Sequence, residues 1–470
     1  MCPEGWVFHY TQRPIIRVLG KEVMGNRNWP NILCGNSEGL INLIPERAPP
    51  ETLGEASQLK RRRQMRGGGI TRREFLRSSL GIAAGVAAGS FIEFRTLAHA
   101  EQKGYASIFE PTSINGLVLK NRLVRSATWE AMATPEGAVT DRLVDFYNRL
   151  AAGGVGAIHT GYLYVRRDGQ QLPFQTGADR DECIAGLARL AEAVHQQGGK
   201  IVGQIVHCGG QADRRTNGGQ QPVAPSGVAS PGYPETPRGL TEKEVEEMIS
   251  LFAAAAGRVK AAGYDGVQIH GAHGYLVSEF LSPYRNRRAD RFGGTLENRA
   301  RFALEVYKAM RAEVGPSFPV LIKLNAHDRF EGSTTERDAA YLASALAQAG
   351  IDAIEVSSGT GHDVGTICGP DILSWKNEAY NLAVAKYIRS AAPKVPLMLV
   401  GGLRSLEKME CILNNEGADY FAISRPLIRQ PDLPARWGGG DRARATCISC
   451  NGCFGPALKG EGIRCVIPGA

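Results

Sequence analysis

Four cysteines close to the C-terminus have a spacing that can hold an inorganic cofactor. They form the pattern C-x2-C-x2-C-x11-C at Cys447, Cys450, Cys453 and Cys465. Three thiols at three-residue spacing suit one face of a cubane cluster, and the fourth returns from a loop. Zinc sites usually group their ligands in pairs, so the spacing favours a [4Fe-4S] cluster, with zinc or disulfides as the other interpretations.

A second set of polar residues follows short apolar runs in the middle of the chain. Gln204 lies at the end of one run, His270 and His273 end the next, Tyr275 comes just beyond, and Lys323 ends a later one. A purely structural strand needs none of these side chains. Gln204 can both donate and accept hydrogen bonds, as a pyrimidine edge requires, and Lys323 supplies positive charge. The set predicts a site for an anionic organic cofactor.

Two further strand ends have residues suited to a phosphate. Gly401 and Gly402 follow one apolar run, and Ser424 with Arg425 ends the last one. Backbone amides freed by the glycine pair, together with the guanidinium of Arg425, can bind a phosphate group.

The elements that must position these residues are alternating strands and helices. We predict strands at 123–127, 156–160, 200–206, 266–270, 319–324, 353–357, 396–400 and 420–424, and helices that include 241–262, 297–314 and 336–349. Thr241 and Glu244 form a capping box that begins the first of these helices. Eight β-α units in about 330 residues predict a (β/α)8 TIM barrel, whose chemistry lies at the C-terminal ends of the strands. A doubly wound open sheet is the second interpretation of the fold. It is less favoured because no Gly-x-Gly-x-x-Gly motif follows the first strand.

The residues around the histidine pair carry a specific resemblance. H-G-A-H-G-Y-L at 270–276, E-F-L-S-P at 279–283 and N-R-R-x-D-x-x-G-G-x-x-E-N-R-x-R-F at 286–302 resemble the old yellow enzyme family of FMN oxidoreductases. The likeness spans roughly 105–437. It is nearest the branch that includes 2,4-dienoyl-CoA reductase and trimethylamine dehydrogenase, whose cluster motif the cysteine run also resembles.

The resemblance implies a role for each matching residue. His270 and His273 would grip the carbonyl oxygen of an enone, and Tyr275 would donate a proton. The implied FMN-binding residues are Ser126, Ala127 and Thr128 along the flavin edge, Gln204 at the pyrimidine end, Lys323 at N1 and C2=O, and Gly401, Gly402, Ser424 and Arg425 at the phosphate.

Each of these residues also has a plainer interpretation. The two histidines could ligate a metal or pack in the core, and Tyr275 could serve packing alone. Lys323 and Arg425 could each pair with a carboxylate.

Two departures from the branch alter the expectation. Those relatives continue into a second nucleotide-binding region, whereas this sequence stops five residues after Cys465, so we expect no built-in FAD/NAD(P)H module. Trimethylamine dehydrogenase tethers its flavin to a cysteine near the first strand. No cysteine lies between Gly104 and Asp181 here, which predicts non-covalent FMN.

The first hundred residues are predicted to be a leader. T-R-R-E-F-L-R at 71–77, an apolar stretch at 79–92 and Ala98-His99-Ala100 follow the order of an export signal and resemble the twin-arginine (Tat) type. We therefore expect a signal peptide over 65–100 and a mature N-terminus at Glu101. Residues 1–64 show no period, and translation is expected to start at Met65. The barrel is assigned to 101–445 and the cluster segment to 446–470.

Composition excludes several classes of protein. Hydrophobic residues make up 43% and charged residues 22%, which rules out wholesale disorder. Of the net charge of +8, residues 1–100 contribute 14 basic minus 8 acidic, or +6. The body has no basic patch with interleaved aromatic residues, so we expect no nucleic-acid partner. No run of 18 uncharged apolar residues occurs, which excludes a polytopic membrane protein.

Together these patterns predict a periplasmic FMN and [4Fe-4S] oxidoreductase that reduces an activated C=C bond of a small molecule. NAD(P)H or a redox partner protein would donate electrons, the cluster would be their entry or exit port, and a homo-oligomer is left open. An amine or alcohol dehydrogenase and a non-catalytic electron carrier are the alternatives.

Overall fold

Eight parallel strands close into a barrel that confirms the predicted (β/α)8 architecture. A computed structural model describes residues 107–469 apart from 231, 234 and 416. The predicted leader, signal peptide and mature N-terminus lie outside the described residues. The barrel strands are β1 Leu123–Arg125, β2 Ala157–His159, β3 Ile201–Val206, β4 Gly266–Gly271, β5 Val320–Asn325, β6 Ala353–Ser357, β7 Leu397–Val400 and β8 Tyr420–Ile423. Each is parallel to its neighbours, and β1 pairs with both β2 and β8, which closes the ring.

Helices follow the strands and cover the outside of the barrel. In chain order they are α1 Asp141–Ala152, α2 Cys183–Gln196, α3 Glu242–Ala261, α4 Leu276–Leu281, α5 Leu296–Val314, α6 Glu336–Ala349, α7 Val364–Ile367, α8 Leu382–Ala391, α9 Leu406–Asn415, α10 Arg425–Arg429, α11 Leu433–Gly438 and α12 Phe454–Leu458. Threonine side chains cap four of the long helices, and the capping box of Thr241 with Glu244 is formed as predicted.

The N-terminal end of the barrel is closed by an apolar plug. A hairpin of Thr112–Ile114 and Leu117–Leu119 packs its buried side chains against the lowest inward-facing residues of the strands. Those residues are Val124, Ala157, Val202, Leu321, Ala353, Met398 and Tyr420. Because this end is filled with apolar side chains, polar chemistry is confined to the opposite end.

Side chains alternate in and out along every strand, so residues two positions beyond the plug form the next inward layer. In β5 and β6 this layer contains Lys323 and Glu355, which are directly opposite each other in register. On the other side of Lys323, His270 of β4 is directly opposite it in register.

The cysteine-rich segment packs back against the first β-α loop. The amide of Ile463 donates to the carbonyl of Glu130 at 2.8 Å, and Arg142 of α1 donates to the carbonyl of Gly460 at 3.3 Å. In a closed barrel the last unit neighbours the first, so this placement follows from the topology. No described helix is both long and apolar enough to cross a membrane.

Candidate functional site

A buried polar layer lies just above the apolar plug, with Glu355 at its centre. One carboxylate oxygen accepts from Ser126 Oγ at 2.7 Å and lies 3.0 Å from Lys323 Nζ. The other accepts from Gln268 Nε2 at 2.9 Å and lies 3.3 Å from His159 Nδ1. Burial acts to raise the pKa of Glu355, but Lys323 and His159 hold it well below its usual range. Lys323 therefore does pair with a carboxylate, in a buried and ionised pair below the mouth.

Two buried acceptors, one in this layer and one at the end of β5, have no hydrogen-bond partner in the described part of the chain. Gln204 donates from Nε2 to Gln268 Oε1 at 2.7 Å, but its own Oε1 is buried without a hydrogen bond, as is Asn325 Oδ1. An unsatisfied buried polar atom costs about 1–3 kcal/mol. A ring N–H donor such as that of a flavin pyrimidine would satisfy Gln204, so the residues present fit the cofactor that the sequence implies.

Three rings come together at the mouth, next to the polar layer. The ring centroids of His270 and His273 are 5.1 Å apart, and those of His270 and Tyr275 are 4.7 Å apart. The amide of Ala272 donates to His270 Nδ1 at 3.3 Å, so the neutral ring carries its proton on Nε2. His273 Nε2 shares a hydrogen bond of 2.7 Å with Ser357 Oγ. The structure thus brings together the three predicted substrate-contacting residues.

Both histidines are held in the neutral form. Desolvation, the neighbouring His273 and the Lys323 ammonium lower the pKa of His270 well below its ordinary value. Desolvation and Lys323 lower the pKa of His273 to about 3. Neutral imidazole N–H groups can donate hydrogen bonds to an oxygen on which negative charge develops.

His273 has a strained backbone that its neighbours maintain. Its φ of 64° lies in the left-handed region, where a side-chain-bearing residue costs on the order of 1–3 kcal/mol. Its carbonyl accepts from Gln211 Nε2 at 2.8 Å and from the amide of Gly361 at 3.3 Å. Two other β-α loops therefore hold the ring over the mouth.

The predicted phosphate residues lie together at the ends of β7 and β8. Gly401 and Gly402 have φ of 129° and 71°, and a Cβ on either would come within about 3 Å of the Tyr380 ring. A glycine pair is therefore required at this turn. Arg425 donates to the Asn451 side chain and to the carbonyls of Ser449 and Gly369.

The predicted flavin-edge residues adjoin this turn. Thr128 Oγ1 and Ser424 Oγ are 2.6 Å apart, which joins the loop after β1 to the end of β8. Ser126 is buried in the polar layer, and Ala127 between them is half-buried. All nine predicted cofactor residues thus lie on the C-terminal ends of the strands.

The four predicted cluster cysteines line one small cavity beside α10. The cavity is also lined by Arg425 and Arg429. Arg429 Nη1 lies 3.3 Å from Cys465 Sγ, and Arg404 Nη2 lies 3.7 Å from Cys447 Sγ. Within residues 107–469, no group of three or more His, Cys, Asp or Glu side chains is arranged to hold a metal ion.

Sequence reasoning missed several residues that complete these sites. Glu355 could have been found, because it is the only charged residue in the predicted strand at 353–357. His159, Gln268, Gln171 and Ser357 carry no comparable signal. His207 follows β3 and has a structural role, because its Nε2 is 3.1 Å from Asp168 Oδ1 and its Nδ1 accepts from the amide of Gly209.

This barrel, with its polar layer and its histidine and tyrosine mouth, defines a flavin oxidoreductase. Residues 107–441 match the NADH:flavin oxidoreductase / NADH oxidase family. The chain belongs to this family of FMN-dependent oxidoreductases, which includes the old yellow enzymes. A small-molecule substrate and NAD(P)H as the electron donor fit the family.

Three proteins similar to this chain have different names and activities. An NADH oxidase of Thermoanaerobacter brockii is 36% identical over 77% of this chain and 56% of the relative. The structure of a 2-naphthoyl-CoA reductase has a TM-score of 0.71 at 29% identity, over 77% of this chain and 56% of that one. The structure of histamine dehydrogenase from Rhizobium sp. 4-9 has a TM-score of 0.69 at 25% identity, over 77% of this chain and 52% of that one. The chain spans about half the length of each.

Replacing Lys323 with methionine is expected to destabilise the fold and make the flavin harder to reduce. The Glu355 carboxylate would be left buried without its cation, which costs about 3–5 kcal/mol. Its uncompensated charge would also oppose the negative charge gained on flavin reduction. Chemical denaturation and the flavin midpoint potential measure the two effects.

The double variant Lys323→Met/Glu355→Gln removes both charges and is the matched control. It should recover most of the lost stability and should reverse part of the decrease in the flavin midpoint potential. An unchanged potential in Lys323→Met at full FMN occupancy would show that Lys323 does not face the flavin.

Proposed function

We propose that this protein is an exported enzyme that binds FMN without a covalent bond, carries a [4Fe-4S] cluster and reduces the activated C=C bond of an enone-like substrate. The observation that carries the proposal is the pair of neutral imidazoles beside Tyr275 at the barrel mouth. That arrangement can bind a carbonyl oxygen and deliver a proton from an adjacent side chain.

Bound FMN would supply hydride chemistry at the centre of this mouth. His270 Nε2–H and an N–H of His273 then donate to the substrate carbonyl oxygen, where negative charge develops as the β-carbon accepts hydride. Because both rings are neutral, they stabilise this charge by donating hydrogen bonds and keep their own protons. Tyr275 donates its phenolic proton to the α-carbon.

The cluster proposal is supported by the donor set at the end of the chain. Cys447, Cys450, Cys453 and Cys465 face one cavity, and four thiolates are the usual ligands of a [4Fe-4S] cluster. The guanidinium groups of Arg404 and Arg429 beside two of the sulfurs would offset the negative charge of thiolate ligands. A cluster would supply one-electron chemistry.

An amine dehydrogenase is the second candidate, because the fold is also similar to that of histamine dehydrogenase. A non-catalytic electron carrier is the third. Anaerobic spectroscopy of the photoreduced protein and of the oxidised protein separates the three candidates. Reoxidation of the flavin by 2-cyclohexen-1-one is the result expected of an ene reductase. Bleaching of the oxidised flavin by an amine would instead identify a dehydrogenase, and inertness to both would identify a carrier.

Export through the Tat route is supported by the sequence pattern at 71–100. This route carries folded proteins, which suits a protein that receives FMN and iron in the cytoplasm. Changing Arg72 and Arg73 together to lysine should leave cofactor-loaded protein in the cytoplasm, measured by fractionation and immunoblotting. Wild-type protein exported unfolded and without iron by the general secretory route would contradict this.

A further inference from the structure

A glutamine outside the predicted site holds the phenol of Tyr275. Tyr275 donates its hydroxyl proton to Gln171 Oε1 at 2.7 Å. Tyr162 donates to the same oxygen at 3.2 Å, and Gln171 Nε2 donates in turn to the hydroxyl of Tyr233. Gln171, Tyr162 and Tyr275 are each at least nine-tenths buried. One amide therefore connects three phenols behind the substrate mouth.

The backbone of Gln171 is anchored on both sides. Its amide donates to Gln175 Oε1 at 3.1 Å, and its carbonyl accepts from Thr216 Oγ1 at 3.2 Å. Gln175 also donates to the carbonyl of Tyr162 at 3.0 Å, so the loop that carries Tyr162 and Gln171 braces itself. A side chain on a braced backbone can fix the position of its partner closely.

Tyr162 completes the arrangement next to the histidine pair. Its ring centroid lies 5.5 Å from that of Tyr275 and 5.9 Å from that of His270. Because Tyr162 and Tyr275 share one acceptor oxygen, Gln171 Oε1 keeps a hydrogen bond from Tyr162 when Tyr275 turns its proton towards the mouth. Releasing the Tyr275 proton therefore does not leave a buried carbonyl without a partner.

We infer that Gln171 is the positioning residue for Tyr275, and that the Tyr162 hydroxyl keeps Gln171 Oε1 hydrogen-bonded after the proton of Tyr275 has left. The inference rests on the proposed enone reduction. The O–H bond of Tyr275 breaks as the C–H bond at the substrate α-carbon forms, and Tyr275 is left as a phenolate. Tyr162 keeps its hydrogen bond to Gln171 Oε1 meanwhile, and solvent restores the proton to Tyr275 after the product leaves.

The test uses Gln171→Leu, which keeps the side-chain volume but removes the shared carbonyl. Turnover of 2-cyclohexen-1-one should fall about 10-fold, a fraction of the ~10²–10⁴ that a positioned general acid contributes. With 2-methyl-2-cyclohexen-1-one, the reduced product should also lose configurational purity at the α-carbon, because solvent protonates either face. Gln348→Leu, on the exposed surface of α6, is the matched control and should keep wild-type rate and product configuration.

A double-mutant cycle with Tyr275→Phe separates this inference from the proposed function. If Gln171 acts through Tyr275, Gln171→Leu should cause no further loss of rate in the Tyr275→Phe background. Wild-type rate and product configuration in Gln171→Leu, with Tyr275→Phe impaired, would overturn the inference and leave the proposed function standing. Full activity of Tyr275→Phe would overturn the inference together with the proton-donor role of Tyr275, and no enone turnover by wild type would overturn the proposed function as well.

Two measurements show whether a variant has lost activity because it does not fold. FMN content and the thermal midpoint of each variant are measured first. If Gln171→Leu does not fold, Gln171→Glu retains acceptor oxygens at the same distance. It should keep the product configuration of wild type, and racemic product from folded Gln171→Glu would overturn the inference.

Discussion

Replacing His270 with alanine is expected to slow the reduction of 2-cyclohexen-1-one by about 10²–10³-fold, the usual effect of losing one oxyanion donor. His270 directs the proton on Nε2 into the mouth because Nδ1 is occupied by the amide of Ala272. His273→Ala should have an effect of the same order. Stopped-flow reoxidation of the reduced enzyme by the enone measures the rate directly.

Both variants should keep FMN, because neither substitution removes a residue of the polar layer of Glu355, Lys323 and Gln204. Affinity for a phenol that binds above the flavin should fall with the rate. His195→Ala, an exposed histidine at the end of α2, is the matched control. Phenol binding equal to wild type in both mouth variants would show that the histidines do not grip substrate.

The pH dependence of phenol binding gives a separate check on the same pair. Since the pKa of His273 is lowered to about 3 and that of His270 is also strongly lowered, neither ring gains a proton between pH 5.5 and 8. The rings should therefore contribute no inflection near the ordinary histidine pKa of about 6.5. An inflection there that disappears in His273→Ala would contradict the neutral assignment.

Cys450→Ala is expected to abolish the iron-sulfur cluster entirely while leaving FMN in the barrel. All four cysteines are the proposed ligands of the cluster, and Cys450 is the most exposed of the four thiols, so its removal should disturb the fold least. Iron analysis, acid-labile sulfide and the visible spectrum of anaerobically purified protein measure the loss. The flavin band should remain while the broad iron-sulfur absorbance disappears.

Cys411→Ala is the matched control, because Cys411 lies on α9 away from the cysteine cavity. It should retain wild-type iron and sulfide. Zinc in place of iron in the wild type, or full iron content in Cys450→Ala, would contradict the cluster assignment. Reduction of the flavin by dithionite should proceed in both variants, which separates loss of the cluster from loss of the flavin site.

Local patterns were sufficient to predict the architecture. All eight barrel strands were expected within a few residues of their observed bounds, because each is a short apolar run bounded by turn residues. The count of eight and the alternation with helices then predict a closed barrel, and closure requires that strand ends converge. Gly401, Gly402, His270 and Lys323 could therefore be assigned to one mouth before any distance was known.

Hydrogen bonds between side chains on different β-α units could not be predicted from local sequence patterns. Ser126 and Glu355 are 229 residues apart in sequence yet joined at 2.7 Å, and Gln171 and Tyr275 are 104 apart and joined at 2.7 Å. The sequence by itself determined which strands exist, which residues end them and which family motif they carry. The tertiary structure decided that Lys323 is already paired with Glu355 and that Gln171 holds Tyr275. The physical reason is that strand register and loop packing, which no local period encodes, set the distances between side chains on different β-α units.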